Sequence, residues 1–163
     1  AAVGLAPAVL SAGSTPTALA AAQPPVNELR PGTYLLGDRQ QVALGSSPAD
    51  GVAIAIAATV VSTAVGGQVV IDAGTKALTR DLPPYLRGYG TLPAYPDGLI
   101  ERVYDYHGVV SFPEGARRPK LGEVVAVVPN RANPLVDLYD SFVATRSGQL
   151  VGRWAVDARG RSG

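Results

Sequence analysis

Two short clusters in this chain combine hydroxyls, glycines and unpaired backbone N–H groups in the way that anion binding requires. The first is Gly13-Ser14-Thr15-Pro16-Thr17, which stands where a helix should begin. At such a start the first N–H groups have no partner inside the helix and the dipole favours negative charge, so a phosphate is the natural ligand; an ordinary capped helix start uses the same residues. The second is Arg30-Pro31-Gly32-Thr33-Tyr34, where a glycine lets the backbone approach a ligand closely and the neighbouring N–H can point at the same group. Two such loops at the ends of adjacent strands are more specific than either alone. His107 is the only histidine, and an imidazole that titrates near neutrality suits proton transfer, although a lone histidine also serves structure.

The elements that must carry these groups fall into two parts. Residues 1–45 alternate apolar runs with turn chemistry. Residues 7–12 read as a buried strand, Thr15 as an N-cap, and 16–22 as a helix stopped by Pro24-Pro25. A second unit follows, with a strand near 27–30, the Pro31-Gly32 turn, and a helix over 39–44 capped by Asp38 and closed by Gly45. Two successive strand-helix units predict a piece of a parallel α/β structure.

Residues 46–163 change to a period of two. Val52, Ile54 and Ile56 lead into Thr59-Val60-Val61, Gly66-Gly67 makes a turn, and 68–72 returns as a hairpin partner. A proline- and glycine-rich loop is expected over 81–98. Further strands are expected at 102–111, 123–128, 135–139, 142–146 and 150–156, which together make a small antiparallel β domain.

Composition narrows the function classes. The chain has 163 residues, 47% of them apolar, enough for a buried core. Fourteen basic side chains face thirteen acidic ones and are scattered, so there is no electrostatic footprint for nucleic acid or an anionic membrane. The most apolar stretch, 52–61, is about half the roughly 20 residues of a membrane-spanning helix, and no secretory signal pattern opens the chain. Cysteine is absent, which removes disulfides, cysteine zinc sites and thiol nucleophiles. Methionine is absent too, and the expectation is a processed or truncated product.

Residues 11–17 and 29–34 resemble the end of the barrel in D-threonine aldolase and D-serine dehydratase, pyridoxal-phosphate enzymes of the alanine racemase fold type. The resemblance continues through 58–62, Ile71 to Thr79 (with Asp72 and Lys76), His107-Gly108-Val109-Val110, 122–125, Val128-Pro129-Asn130, 136–140 and 158–160. It implies the last strand-helix units of a (β/α)8 barrel followed by an antiparallel β domain. It implies pyridoxal 5'-phosphate as cofactor, with Gly13, Ser14, Thr15, Gly32 and Thr33 at the phosphate, Tyr34 adding a hydroxyl or lying in the core, and Arg30 at the ring nitrogen. It makes His107 a candidate near the active site, as acid or base. A homodimer, a small amino acid substrate and a cytoplasmic protein are also implied.

Two departures from the family pattern shape the expectation. The lysine that holds this cofactor belongs to the first barrel strand in the fold type, and the resemblance places Lys76 and Lys120 elsewhere; a whole barrel takes roughly 250 residues. The chain is therefore expected to be a C-terminal portion, inactive alone. Relatives with metal activity carry His-x-Cys or His-x-Asp where this chain has Arg131 and Asn133. A guanidinium presents donors only and cannot ligate zinc or manganese, so the metal site is expected to be lost and Arg131 becomes a candidate substrate contact. The activity so implied is aldol cleavage or β-elimination of a D-configured β-hydroxy amino acid. Racemization, or a non-catalytic cofactor-binding paralogue, stands as the alternative.

Overall fold

The computed structural model describes residues 7–161. A two-residue strand β1 (Ser11–Ala12) lies parallel to β2 (Glu28–Leu29), joined through a 3-10 turn over Thr15–Thr17 and a one-turn helix α1 (Ala18–Ala21). A second 3-10 turn, Thr33–Leu35, leads to α2 (Arg39–Ala43). The parallel pairing is as expected for successive strand-helix units. The burial is not, because residues 7–11 are exposed and among the described residues nothing covers this pair.

The rest is antiparallel. Six strands form one sheet: β3 (Ile56–Ser62), β4 (Gln68–Ile71), β5 (Gly90–Thr91), β6 (Leu99–Val103), β7 (Gly108–Ser111) and β8 (Val124–Pro129). Their spatial order is β5-β8-β3-β4-β7-β6. The sheet curls until its two edge strands approach, and the Tyr89 N–H just before β5 donates to the Ile100 carbonyl of β6 at 3.0 Å. The result is a near-barrel, which removes most of the open edge that a flat sheet would present.

Alternation explains the curl's interior. Ala58 and Val60 of β3, Val69 and Ile71 of β4, Val125 and Val127 of β8 all point inward with Ile100, Val110 and Leu92. Fully burying each valine or isoleucine contributes about 1.5–3 kcal/mol relative to exposure. Tyr95 and Phe112 close one region edge-to-face, with centroids 6.5 Å apart. A second cluster of Ile54, Ala132 and Leu135 packs with Leu36, Val52 and Phe142, and so joins the N-terminal segment to the C-terminal one. Among the described residues no helix is long and apolar enough to cross a membrane.

Four local expectations are corrected. The stretch 102–111 is two strands, because Tyr104–His107 turns the chain and the Tyr104 N–H donates to the His107 carbonyl. Residues 135–139 are not a strand: α4 (Ala132–Val136) occupies that region, with Pro134 in its first turn where no N–H is needed, and Leu135 fully buried. Within 81–98 the short β5 pairs with β8. The cap before the first 3-10 turn is Ser14, not Thr15. The final hairpin of β9 (Ser141–Arg146) and β10 (Gln149–Ala155) turns at Ser147-Gly148 as read from the sequence.

Glu123, just before β8, accepts hydrogen bonds from the Tyr95 hydroxyl and, at 3.0 Å, from the Lys120 N–H. These two bonds, the tyrosine's first, hold its carboxyl below the ordinary carboxylate range. A depressed folded-state value adds stability above the unfolded value, and that stability is lost as pH falls through the folded value. Glu123→Gln is therefore expected to lower stability at neutral pH and to approach the parent in strong acid. Urea unfolding across the acid range checks this, and a pH-independent gap would contradict it.

Candidate functional site

The two hydroxyl-rich loops meet. The Tyr34 N–H donates to Thr15 Oγ1 at 3.2 Å, and the Arg30 N–H donates to the Gly13 carbonyl at 3.1 Å. The Ser14 N–H is already bonded to Thr17 Oγ1, 3.0 Å away, and the Ser14 and Thr17 hydroxyls lie 3.2 Å apart. The N–H groups of Thr15, Gly32 and Thr33 have no hydrogen-bond partner among the described residues. A Cβ on Gly32 would meet nothing within 4 Å, so open space lies beside those donors. Gly13 is held with positive φ against Leu29 and Ala18, which explains its lack of a side chain by packing alone. Three free donors on two tied loops, beside open space, fit a phosphate group. Arg30 Nε donates to Ser11 Oγ at 2.7 Å, which lays the guanidinium along β1, and the Tyr34 ring is exposed.

The second loop is also tied to the β domain, at a position singled out for another reason. The Thr33 hydroxyl donates to Asn133 Oδ1 at 2.9 Å, across 100 residues of sequence. Asn133 lies in α4, and Arg131 just before it sits 3.6 Å from the Asp81 carboxylate. The structure thus places Gly13, Ser14, Thr15, Gly32, Thr33, Tyr34 and Asn133 in one connected group, with Arg131 adjoining it. No group of three or more histidine, cysteine, aspartate or glutamate side chains that could hold a metal occurs among the described residues. A permanently charged guanidinium and an amide already engaged by Thr33 do not fit a divalent cation.

His107 lies elsewhere. It is exposed in the Tyr104–His107 turn, its ring makes no hydrogen bond among the described residues, and no bond or ion pair joins the turn to the loops. The start of α3 (Thr75–Leu78) holds this turn: the Thr75 N–H donates to the Tyr104 carbonyl at 2.7 Å and the Lys76 N–H to the Asp105 carbonyl at 3.0 Å. Lys76 Nζ donates to the Tyr106 hydroxyl at 2.8 Å and lies over its ring. That bond raises the Lys76 pKa and keeps the amine protonated. Lys120 stands in the turn before β8, so neither lysine reaches the loops.

The residues that hold this arrangement together carry no chemistry-bearing pattern of their own. Asn130 is fully buried; its amide nitrogen donates to the Asp81 and Gly88 carbonyls at 2.7 and 2.9 Å, and its oxygen accepts from Arg39 Nη1 at 2.5 Å. Arg39 also donates to the Gly88 and Arg87 carbonyls. Burial lowers its pKa, as expected for a cation surrounded by neutral acceptors. Asp38, 1% exposed, accepts from the Gln41 N–H at 2.8 Å as the cap of α2 and from the Ala132 N–H at 2.9 Å. The capping role of Asp38 was legible from spacing. Its bond to Ala132, and the whole role of Asn130, were not, because both partners lie about 90 residues away.

Comparison with known proteins identifies the family. Residues 53–145 match the family described as "Putative serine dehydratase domain". An uncharacterized protein of Mycobacterium tuberculosis, Rv1414, is 37% identical over 133 residues, covering 78% of this chain and 99% of its own length. D-threo-3-hydroxyaspartate dehydratase of Delftia sp. is 31% identical over 94% of this chain, but over only 45% of its own. The crystal structure of D-threonine aldolase from Filomicrobium marinum superposes with a TM-score of 0.82 at 30% identity, covering 99% of this chain and 44% of that one. The chain therefore spans less than half the length of these two named enzymes and nearly all of the mycobacterial protein.

Two substitutions test the framework. Asn130→Ala leaves the Asp81 carbonyl and one Arg39 N–H without their partner and takes one of two donors from the Gly88 carbonyl, and is expected to cost about 3 kcal/mol in urea unfolding. Gly74→Ala places a Cβ 2.1 Å from the Tyr104 carbonyl oxygen and 2.5 Å from the His107 nitrogen, both backbone atoms that cannot rotate away. It is expected to cost about 3 kcal/mol or more and to shift the amide resonances of the Tyr104–His107 turn.

Proposed function

The chain belongs to the serine dehydratase domain family, and from that membership we propose that it works as the C-terminal part of a pyridoxal 5'-phosphate-dependent lyase. Its substrates would be D-configured β-hydroxy amino acids, cleaved between Cα and Cβ or stripped of the β-hydroxyl, without a metal ion. The observation that carries the reading is the junction of the two loops, Tyr34 N–H to Thr15 Oγ1, which gathers three unpaired N–H groups beside open space.

When bound, the cofactor supplies an electron sink for charge developing at the substrate's Cα. Thr15, Gly32 and Thr33 would hold its phosphate through their N–H groups, with the Gly13-Ser14 turn shaping the loop. Arg30 would present a permanent cation to the ring nitrogen and so keep a proton off it. The lysine that completes the cofactor's attachment would lie outside residues 7–161, since Lys76 and Lys120 are both remote from the loops.

Arg131 would stand in for the metal's positive charge and contact a substrate carboxylate or hydroxyl, with Asp81 as its resting partner. His107 would act across a homodimer. Its turn is exposed, flanked by the exposed rings of Tyr104 and Tyr106, and unconnected to the loops of its own chain. A non-catalytic cofactor-binding protein is the second reading, favoured by the replacement of both family metal ligands and by the mycobacterial relative, whose length is close to that of the β domain.

The protein as its gene encodes it, loaded with pyridoxal 5'-phosphate, is expected to show bound-cofactor absorbance and to turn over D-threonine or D-threo-3-hydroxyaspartate in the presence of EDTA. Gly32→Val, which fills the open space, is expected to weaken cofactor binding about tenfold or more. Activity lost to EDTA and restored by zinc or manganese would overturn the metal-free mechanism. Cofactor binding without turnover would select the non-catalytic reading, and absence of cofactor binding would overturn both.

A further inference from the structure

Where β5 and β6 approach without forming a ladder, an open cleft of about 540 Å³ lies at the surface, within the size range typical of small-molecule sites and with Arg87 and Asp97 among its solvent-exposed lining. It lies apart from the two loops and is lined by both signs of charge, Arg39 and Arg87 on one hand and Asp97 on the other. None of the three forms an ion pair with another charged side chain among the described residues. Arg39 uses three of its five N–H groups on Asn130 and two backbone carbonyls, leaving Nε–H and one Nη2–H without a partner among the described residues. The Arg87 side chain donates to no described residue; only its carbonyl is engaged. Leu99 and Phe112 supply an apolar wall, and Ser111 a hydroxyl.

Unpaired charges of opposite sign around a small, partly apolar space match a zwitterion. We propose that this cleft binds a free α-amino acid, its carboxylate on Arg39 and Arg87, its ammonium on Asp97 and its side chain against Leu99 and Phe112. Charge-assisted hydrogen bonds to a guanidinium favour a carboxylate over a neutral acceptor, and a lone carboxylate beside them supplies what a simple organic acid would leave unused. The site is independent of the cofactor reading, since none of its lining residues belongs to the loops. It is nevertheless coupled to them, because Arg39 also holds Asn130, which immediately precedes Arg131.

Titration of the full chain, without cofactor, with D-serine, lactate and ethanolamine tests the proposal by backbone amide resonances. D-serine is expected to shift Asp97, Gly98, Leu99 and Ser111. Lactate, which lacks the ammonium, and ethanolamine, which lacks the carboxylate, are each expected to bind about tenfold more weakly or worse. Arg87→Ala and Asp97→Asn are each expected to weaken D-serine by about tenfold while leaving the urea midpoint unchanged, since neither side chain supports the fold. Shifts confined to Thr15, Gly32 and Thr33, no shifts at tens of millimolar, equal binding of lactate, or affinity unchanged in both variants would each overturn it.

Discussion

The fold turns on the buried amide of Asn130. It lies at the end of β8, with no access to water, and every polar atom it carries is used: two carbonyls accept from its nitrogen and one guanidinium donates to its oxygen. Leaving any of these groups unpaired in the interior would cost about 1–3 kcal/mol each, more for the charged one. The satisfied set therefore admits one relative placement of α2, the 81–88 loop and the start of α4. Asp38 repeats the logic from the other side, its carboxylate shared between the cap of α2 and the first N–H of α4. Helices of four or five residues cannot stand in water by their own hydrogen bonds, so these long-range contacts are what make them helices.

The hub places the second loop against the β domain, where the Thr33–Asn133 bond joins the two. The amide oxygen of Asn133, two residues after Arg131, accepts a hydrogen bond from the neighbouring loop. Arg131 carries a positive charge of its own and rests on Asp81. A permanent cation therefore stands close to the loops, able to act as a hydrogen-bond donor. The apolar surface around the first unit is open in the same region: Leu19, Leu35 and Tyr34 are all largely exposed, as are the two short parallel strands. Among the described residues 7–36 no side chain is buried, and hydrogen bonds of the strand pair, Asn27 and the loops hold that unit, whereas the near-barrel carries a packed core of its own.

Much of this was legible in the residues. Alternation at Val52, Ile54 and Ile56 leading into Thr59-Val60-Val61 marked a sheet strand, although β3 starts only at Ile56; Ser147-Gly148 marked the turn of the final hairpin and Asp38 a helix cap, because each of these signals acts over a few residues. The pairing of β1 with β2 followed from two like units in succession, and Thr15 was marked as a donor by its helix start and Gly32 and Thr33 by the glycine's close approach, whereas the Ser14 N–H, also expected free, is bonded to Thr17. The inventory of reactive groups, with one histidine, two lysines and no cysteine, also needed no coordinates.

Other features depend on partners distant in sequence and leave no local mark. Residues 135–139 carry apolar side chains that suit a strand as well as a helix; Asp38, 94 residues before Ala132, favours the helix by satisfying its first N–H. The turn that carries His107 exists because Gly74 has no Cβ, so α3 can meet the Tyr104 carbonyl closely. The cleft at the seam exists because the sheet curls far enough for β5 to approach β6 but not to pair with it. Periodicity and turn chemistry report the backbone's short-range preferences. Satisfaction of buried polar groups is a condition on the whole packed chain, and it was that condition which settled where the second loop and the start of α4 stand.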